Sequence, residues 1–419
     1  MEQSKRKKFS QHSLLLALCW VIYTCSLIGK MNYGANITQV EAFFNVSHAD
    51  AGMVSTFYFF AYGAGQIING LFCKKYNLKY VIFTCLFVAG GANIAIGITK
   101  NFDLIKYLWL LNGASLSVLW PGLIRLLSEN LNREEMSRAS IVMGTTTATG
   151  TFIIYGLSAV FAELGIFKFA FYTAGICLPL SGVLWILSYG KLTKKNETQA
   201  EEQPVSIPSK SDPQSTVASK GWLVATVVLL AFFAVAINLI KDGLTTWVPS
   251  ILNERYGLPA SVSIFLTLAL PVVGIFGGML TVTINKYVPD FVCVVTLLFA
   301  AIAVLTGAII GLLNTHLVAV TLIGFAVVKC LASCANGAVT SLFPLKMKGK
   351  VNSGLIAGVL NGCCYVGSTI SSYGFGFVAD TWGWSMVFKL ILGVAIAVVV
   401  IGVVYVLVRT LSAKRSTQK

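Results

Sequence analysis

The chain has 419 residues, 56% of them hydrophobic and only 11% charged, with a mean hydropathy of +0.79 and a formal net charge of +15. A soluble domain of that length cannot hide so much apolar surface, so most of it must face lipid. The basic balance invites a nucleic-acid reading, but the placement of the charges along the chain excludes it.

A helix needs about 20 apolar residues to cross hydrocarbon. In chain order such runs fall at 13–34, 50–73, 79–98, 104–127, 139–161, 166–190, 222–248, 260–284, 289–313, 316–343, 351–378 and 384–409. The first follows Lys5-Arg6-Lys7-Lys8 as a signal peptide would, but it is too long and has no small-residue cleavage site, so it reads as a span. The runs are too long and too rich in glycine for barrel strands. The expected fold is an all-α polytopic membrane protein with twelve transmembrane helices.

With the N-terminus inside, only Lys100, Lys106, Lys168, Arg255 and Lys389 of the 31 Lys and Arg fall outside, and Lys30, Lys241 and Lys329 fall within spans. All the others lie inside or at inner helix ends, which sets both termini in the cytoplasm. Short loops point to a bacterial plasma membrane and a monomer in the lipid bilayer. The sequons at Asn36 and Asn45 are short matches that carry no weight.

Residues 191–220 form the one long polar stretch, rich in Pro, Ser, Gln and charge, and read as a flexible linker. It separates a six-span half at 1–190 from a second at 221–419. The halves echo one another. Lys30-Met-Asn-Tyr-Gly meets Lys241-Asp-Gly at an offset of 211, and Ala49 and Gly63 meet Ala260 and Gly274 at the same offset. Asn112-Gly-Ala…Trp120-Pro121 meets Asn336-Gly-Ala…Phe343-Pro344, and Glu163-Leu-Gly…Phe171 meets Asp380-Thr-Trp-Gly…Phe388. Two pseudo-symmetric repeats around a shared midplane site are the architecture of alternating access.

An ionisable residue inside a span costs about 2.5–3.5 kcal/mol, so each needs a reason. Lys30 and Lys241 stand at equivalent points of spans 1 and 7, one from each half. Two ammonium groups facing a shared space repel unless an anion lies between them, so the pair reads as an anion site; the competing reading is that each snorkels or pairs with a carboxylate. Asp242 is the nearest such partner, but adjacent helical positions point about 100° apart, so it pairs with Lys30 or with another group. Lys329 in span 10 has no equivalent in the first half, and a lipid-edge or packing role weighs as much as a functional one. Arg125, near Glu129 at the inner end of span 4, reads as a topology or gate residue.

Tyr23, Asn32, Asn36, Tyr62, Gln66, Thr145–Thr147, Asn238, Asn361 and Tyr365 are polar groups able to orient a ligand, although such residues more often join helices. Tyr62 and Gln66 are one helical turn apart and share a face. The ten cysteines show no zinc spacing with a histidine and read as small packing residues. No GxxxxGK[ST] motif is present, so a gradient rather than ATP must drive any transport. With no metal cluster, no cofactor motif and no nucleophile–base pattern, an integral-membrane enzyme is not expected.

At these residues the chain resembles the organophosphate:phosphate antiporter family of the major facilitator superfamily, typified by the glycerol-3-phosphate transporter. The resemblance rests on Lys30-Met31-Asn32-Tyr33, Ala61-Tyr62-Gly63, Trp120-Pro121…Arg125, Lys241-Asp242-Gly243…Trp247-Val248-Pro249 and Asp380-Thr-Trp-Gly383-Trp384. It implies a major facilitator fold, a phosphate held by Lys30 and Lys241, and cavity roles for Tyr23 and Tyr62. The chain departs from the family in five places. Both basic residues are lysines where the family has arginines, and lysine is a point charge where arginine is a fork. Thr146 stands near the family's cavity histidine, Gln66 at its cavity lysine, and the loop after span 2 reads Cys73-Lys74-Lys75 in place of an acidic–basic signature.

The expected function is secondary transport of a small organic anion, an organophosphate or a carboxylate, driven by phosphate exchange or a proton gradient. The expected substrate site is Lys30, Lys241, Tyr23, Tyr62, Gln66, Asn32, Asp242 and Thr146, with Arg125 as gate. The alternatives are a drug or metabolite exporter and a transporter-like receptor for an anion.

Overall fold

A computed structural model describes residues 2–72, 75–193, 220–288, 290–347 and 353–417. Cys73, Lys74 and most of the expected linker lie outside the described residues. The order is α1 (Glu2–Ala35), a short α2 (Ile37–Phe44), α3 (His48–Phe72), α4 (Leu78–Ile98), α5 (Phe102–Leu116), α6 (Leu119–Asn130), α7 (Arg133–Glu163) and α8 (Phe169–Thr193). Then come α9 (Lys220–Tyr256), α10 (Ala260–Thr267), α11 (Ala269–Tyr287), α12 (Phe291–Leu312), α13 (Val318–Gly337), a π turn (Ala338–Leu342), α14 (Phe343–Lys346), α15 (Ser353–Trp382) and α16 (Trp384–Thr417).

Ten segments among the described residues are long and apolar enough to cross a membrane. The other two of the expected twelve are α3 and α15. Both are long enough, but they carry Ser55, Gln66 and Asn69, or Asn361, Ser368, Ser371, Ser372 and Asp380. They pack on each other along the middle of the bundle, so they need less apolar surface than a helix that faces lipid on most sides. A Cβ on Gly52 of α3 would lie 2.1 Å from the Ser372 carbonyl oxygen of α15, so only glycine permits that approach.

Three spans break just ahead of a proline. The α5–α6 join precedes Pro121, the α10–α11 join precedes Pro271, and the π turn precedes Pro344. Proline lacks an N–H and its ring crowds the carbonyl four residues back, so each break falls where the ladder cannot continue. Pro121 and Pro344 are the repeat-related pair. The repeat recurs at two helix ends: α7 and α15 are each followed by a left-handed glycine, Gly165 at φ 70° and Gly383 at φ 78°.

Buried asparagines tie helices together within each half. Asn32 donates to Asn93 Oδ1 (2.8 Å), Asn93 to Asn112 Oδ1 (3.2 Å) and Asn112 to the Gly29 carbonyl (2.8 Å), joining α1, α4 and α5. In the second half Asn238 of α9 donates to Asn336 Oδ1 of α13 (3.0 Å). The bundle's outer surface is lined with exposed apolar side chains such as Ile141, Leu180, Phe276 and Val304, the face a membrane protein turns to lipid. The two chain termini share one end of the bundle; α2 and the start of α3 lie at the other, called the far end below.

Candidate functional site

Three lysines from three helices converge where the halves meet. Lys30 of α1 holds its ammonium 4.3 Å from the centre of the Tyr62 ring, 5.6 Å from Tyr365 and 6.0 Å from both Tyr58 and Phe59. Tyr62 and Phe59 belong to the first half and Tyr365 to the second. Such faces attract a cation by about 0.5–2 kcal/mol, but they do not neutralise it. Among the described residues Lys30 has no ion pair and no hydrogen-bond acceptor.

Opposite it, Lys241 Nζ lies 3.5 Å from Asp242 Oδ1, and Ser368 of α15 donates to Asp242 Oδ2 at 2.5 Å. Lys329 of α13 points into the same region: its ammonium donates to the Lys241 carbonyl at 3.0 Å and to Thr245 Oγ1. Lys30, Lys241 and Lys329 all act electrostatically on the Asp242 carboxylate. Asp242 therefore pairs first with its own neighbour Lys241 and sits in the field of the other two.

The remaining expected residues divide. Tyr23 lies beside Tyr62 and its ring is 4.8 Å from that of Trp120, so it borders the lysine region. Tyr62 is itself the closest ring to Lys30. Asn32 is fully buried, and its side chain is spent on Asn93 and on the Tyr33 amide (3.0 Å), so it joins helices and does not line the site. Thr146 is likewise fully buried, donating to the Met143 carbonyl of its own helix. Gln66 shares the Tyr62 helix but turns to the Ser117 carbonyl at the α5–α6 break (3.4 Å). These three side chains are engaged with other parts of the bundle and not with the lysine ammonium groups. Arg125 bonds Glu129 at 2.6 Å, one turn along α6, at the end of the bundle that carries the termini.

A second polar assembly closes the far end, and no sequence pattern joins its members. His48, the first residue of α3, places Nδ1 2.9 Å from Glu41 of α2 and Nε2 2.9 Å from Glu254 of α9. Asp380, near the end of α15, accepts from the backbone N–H groups of His48 (3.0 Å) and Ala49 (2.8 Å). Trp384 donates to Glu254 (2.9 Å). The repeat-related contact is present too: Ser261, in the first turn of α10, donates to Glu163 at the end of α7 (2.5 Å). A carboxylate at the end of one half thus meets a helix start of the other, twice, with the helix dipole favouring each contact.

The trio Glu41, His48 and Glu254 offers ligand atoms within 4.8 Å of one another. However, the two carboxylates engage opposite ring nitrogens. With both carboxyl groups ionised, that arrangement places a proton on each ring nitrogen, which is the imidazolium and not a metal-binding imidazole. Burial opposes the charge on His48, but the hydrogen bonds to Glu254 and Glu41 outweigh it and raise its pKa from 6.5 to about 10. Burial also pushes the Glu41 carboxyl up, against the pull of His48.

A helical bundle of two pseudo-symmetric six-helix halves, with cations at the seam and a latch at one end, is a multi-pass transporter fold. The chain belongs to the Major Facilitator Superfamily, whose family model matches residues 19–355, and it is not an enzyme. Among curated proteins it is similar to a "Probable hexose phosphate transport protein" of Chlamydia muridarum, 22% identical over 83% of this chain and 80% of that one. A "Probable hexose phosphate transport protein" of Chlamydia pneumoniae is 24% identical over the same shares. The "Membrane sensor protein UhpC" of Escherichia coli is 24% identical over 32% of this chain and 30% of its own. Among solved structures, a bacterial homolog of the human lysosomal transporter Spinster in an inward-facing conformation superposes with a TM-score of 0.70 at 12% identity, covering 95% and 96% of the two chains. The nucleoside transporter NupG gives 0.65 at 14%, covering 93% and 99%. At those identities the structural likeness speaks for the fold alone.

Proposed function

We propose that this protein carries a small organic phosphate, of the hexose phosphate class, across a bacterial plasma membrane by alternating access. The observation that carries the reading is Lys30, an ammonium inside the bundle with four aromatic rings around it and no carboxylate paired with it among the described residues. A partly buried charge in that condition is costly, and a bound anion between the halves offsets the cost. Lys241 faces it from the other half, and the proteins named as hexose phosphate transporters match most of the chain. Residues 1–190 and 221–419 act as the two moving halves, joined by 191–220, with both termini in the cytoplasm. Exchange for inorganic phosphate is the coupling that suits two lysines able to hold either anion; a proton gradient is the other candidate.

A second reading is a receptor that binds the anion without moving it, and the match to a membrane sensor favours it over the third of the chain concerned. One experiment separates the two. Purified protein in liposomes loaded with inorganic phosphate is given radiolabelled glucose 6-phosphate outside. Accumulation that stops with Lys30→Ala or Lys241→Ala, and survives better with Lys→Arg, supports transport through the lysine site. Binding without accumulation moves the protein to the receptor class. Full accumulation in both alanine variants overturns the site.

A further inference from the structure

We propose that Lys329, not Lys241, is the second uncompensated cation of this site, and that with Lys30 it selects doubly charged anions over singly charged ones. The inference rests on the anion-site reading above and deepens it. In the repeat, Lys30 and Lys241 are the matched pair. In space they are not equivalent, because Lys241 has a carboxylate 3.5 Å away and Lys30 has none.

Lys329 completes the difference. It makes no ion pair among the described residues; its ammonium is held by a backbone carbonyl and a threonine hydroxyl, both on α9. An ammonium has three N–H donors, and those two neutral acceptors leave one donor and the whole charge unmatched. A lysine that merely packed or snorkelled would lie along lipid toward an interface. This one reaches across from α13 to the α9 turn that carries Lys241 and Asp242, and it shares the electrostatic environment of Asp242 and Lys30.

The charges then sum simply. Lys241 and Asp242 cancel as a pair, anchored by Ser368. Lys30 and Lys329 remain, one from each half, giving a net charge of two. A dianion such as a phosphate monoester near neutral pH, whose second pKa is about 6, neutralises both. A monoanion neutralises one and leaves the other buried and unpaired. The same geometry gives Lys241 a different duty: it holds Asp242, and its carbonyl helps hold Lys329.

The test compares glucose 6-phosphate with glucose 6-sulfate, which has the same sugar and a singly charged ester, as competitors for binding to the purified full-length protein at pH 7.5. In the native protein the phosphate should bind at least tenfold tighter, and the margin should shrink as the pH falls toward 6 and the phosphate takes up its second proton. Lys329→Gln should weaken the phosphate by tenfold or more while changing the sulfate less than threefold; Lys329→Arg should restore the margin. Retained sulfate binding shows that the variant is folded. If Lys329→Gln keeps the native margin, or loses both esters to the same extent, the charge-selecting role is overturned while the Lys30 site stands. A native protein that binds neither ester overturns the anion reading itself.

Discussion

His48 joins α2 and α3 of one half to α9 of the other, and with Glu41 and Glu254 ionised the join needs a proton on each ring nitrogen. Removing one proton is therefore the least invasive way to open the far end. The direction follows from linkage. Closed, His48 has a pKa raised to about 10; released, it returns to its ordinary 6.5. The closed state binds the proton more tightly, so its stabilisation is complete below about pH 6.5 and is lost progressively as the pH rises toward 10. The groups facing the ring are Glu41 from α2, Glu254 from α9, and Trp247 and Trp384; Asp380 holds its backbone. One linked proton changes the closed-to-open ratio by at most about tenfold per pH unit, or about 1.4 kcal/mol. Glu254 is 40% exposed, so solvent screening brings the slope below that limit. The assay places spin labels at Lys100 and Thr315, in far-end loops of the two halves, on a background free of native cysteines, and measures their separation at pH 6.5, 8 and 9.5. The long-distance population should grow with pH in the native protein and be independent of pH in His48→Gln. An unchanged distribution from 6.5 to 9.5, or the same slope in both proteins, refutes the reasoning.

Three further outcomes follow from the packing. Gly52→Val should prevent the far end from closing, because its side chain must displace the Ser372 carbonyl of α15; the same labels should report the open separation at every pH. Asp380→Asn should lower the closed population by about 0.5–2 kcal/mol, the usual worth of a capping carboxylate, and Glu163→Gln should act in the same direction by a smaller amount, since its partner is a serine hydroxyl. Asn32→Ala should lower the thermal melting point, corresponding to about 1–3 kcal/mol for leaving Asn93 short of a partner, with glucose 6-phosphate affinity unchanged. A weakened affinity with a normal melting point would return Asn32 to the binding site.

What could be read from the sequence was what depends on period and position. Apolar runs gave the spans, and the 211-residue offset gave both the repeat and the matched positions of Lys30 and Lys241. What could not be read was rotation. In a helix apolar on nearly every side, no polar stripe says which way Lys329, Gln66 or Thr146 points; packing decides it, and it turned Lys329 inward and Gln66 toward Ser117. The bond of Asn32 to Asn93 could not be read either, because the two lie 61 residues apart on different spans. The far-end latch was out of reach for another reason. Its members come from α2, α3, α9 and α15, with Asp380 lying 332 residues from His48, and no local pattern connects them.

The two polar layers have opposite sense, and that difference determines what each does for transport. Among the described residues the central layer has more cations than carboxylates, so it attracts an anion and would be stabilised by the proposed cargo. The latch sets one imidazolium against the carboxyl groups of Glu41, Glu254 and Asp380, so it repels an anion and gains nothing from one. An anion can therefore strengthen the grip of the two halves on each other only at the centre. The latch instead fixes how much of the unloaded protein is closed at the far end. A ligand's apparent affinity falls by the fraction of protein in the competent state, so weakening the latch should tighten binding from the far side and loosen it from the other, the ratio of the two affinities changing by the factor by which the closed-to-open equilibrium changes. Changing Lys30 or Lys329 should weaken both sides alike. Sidedness of the effect, and not its size, is what tells a gate residue from a ligand residue in this bundle.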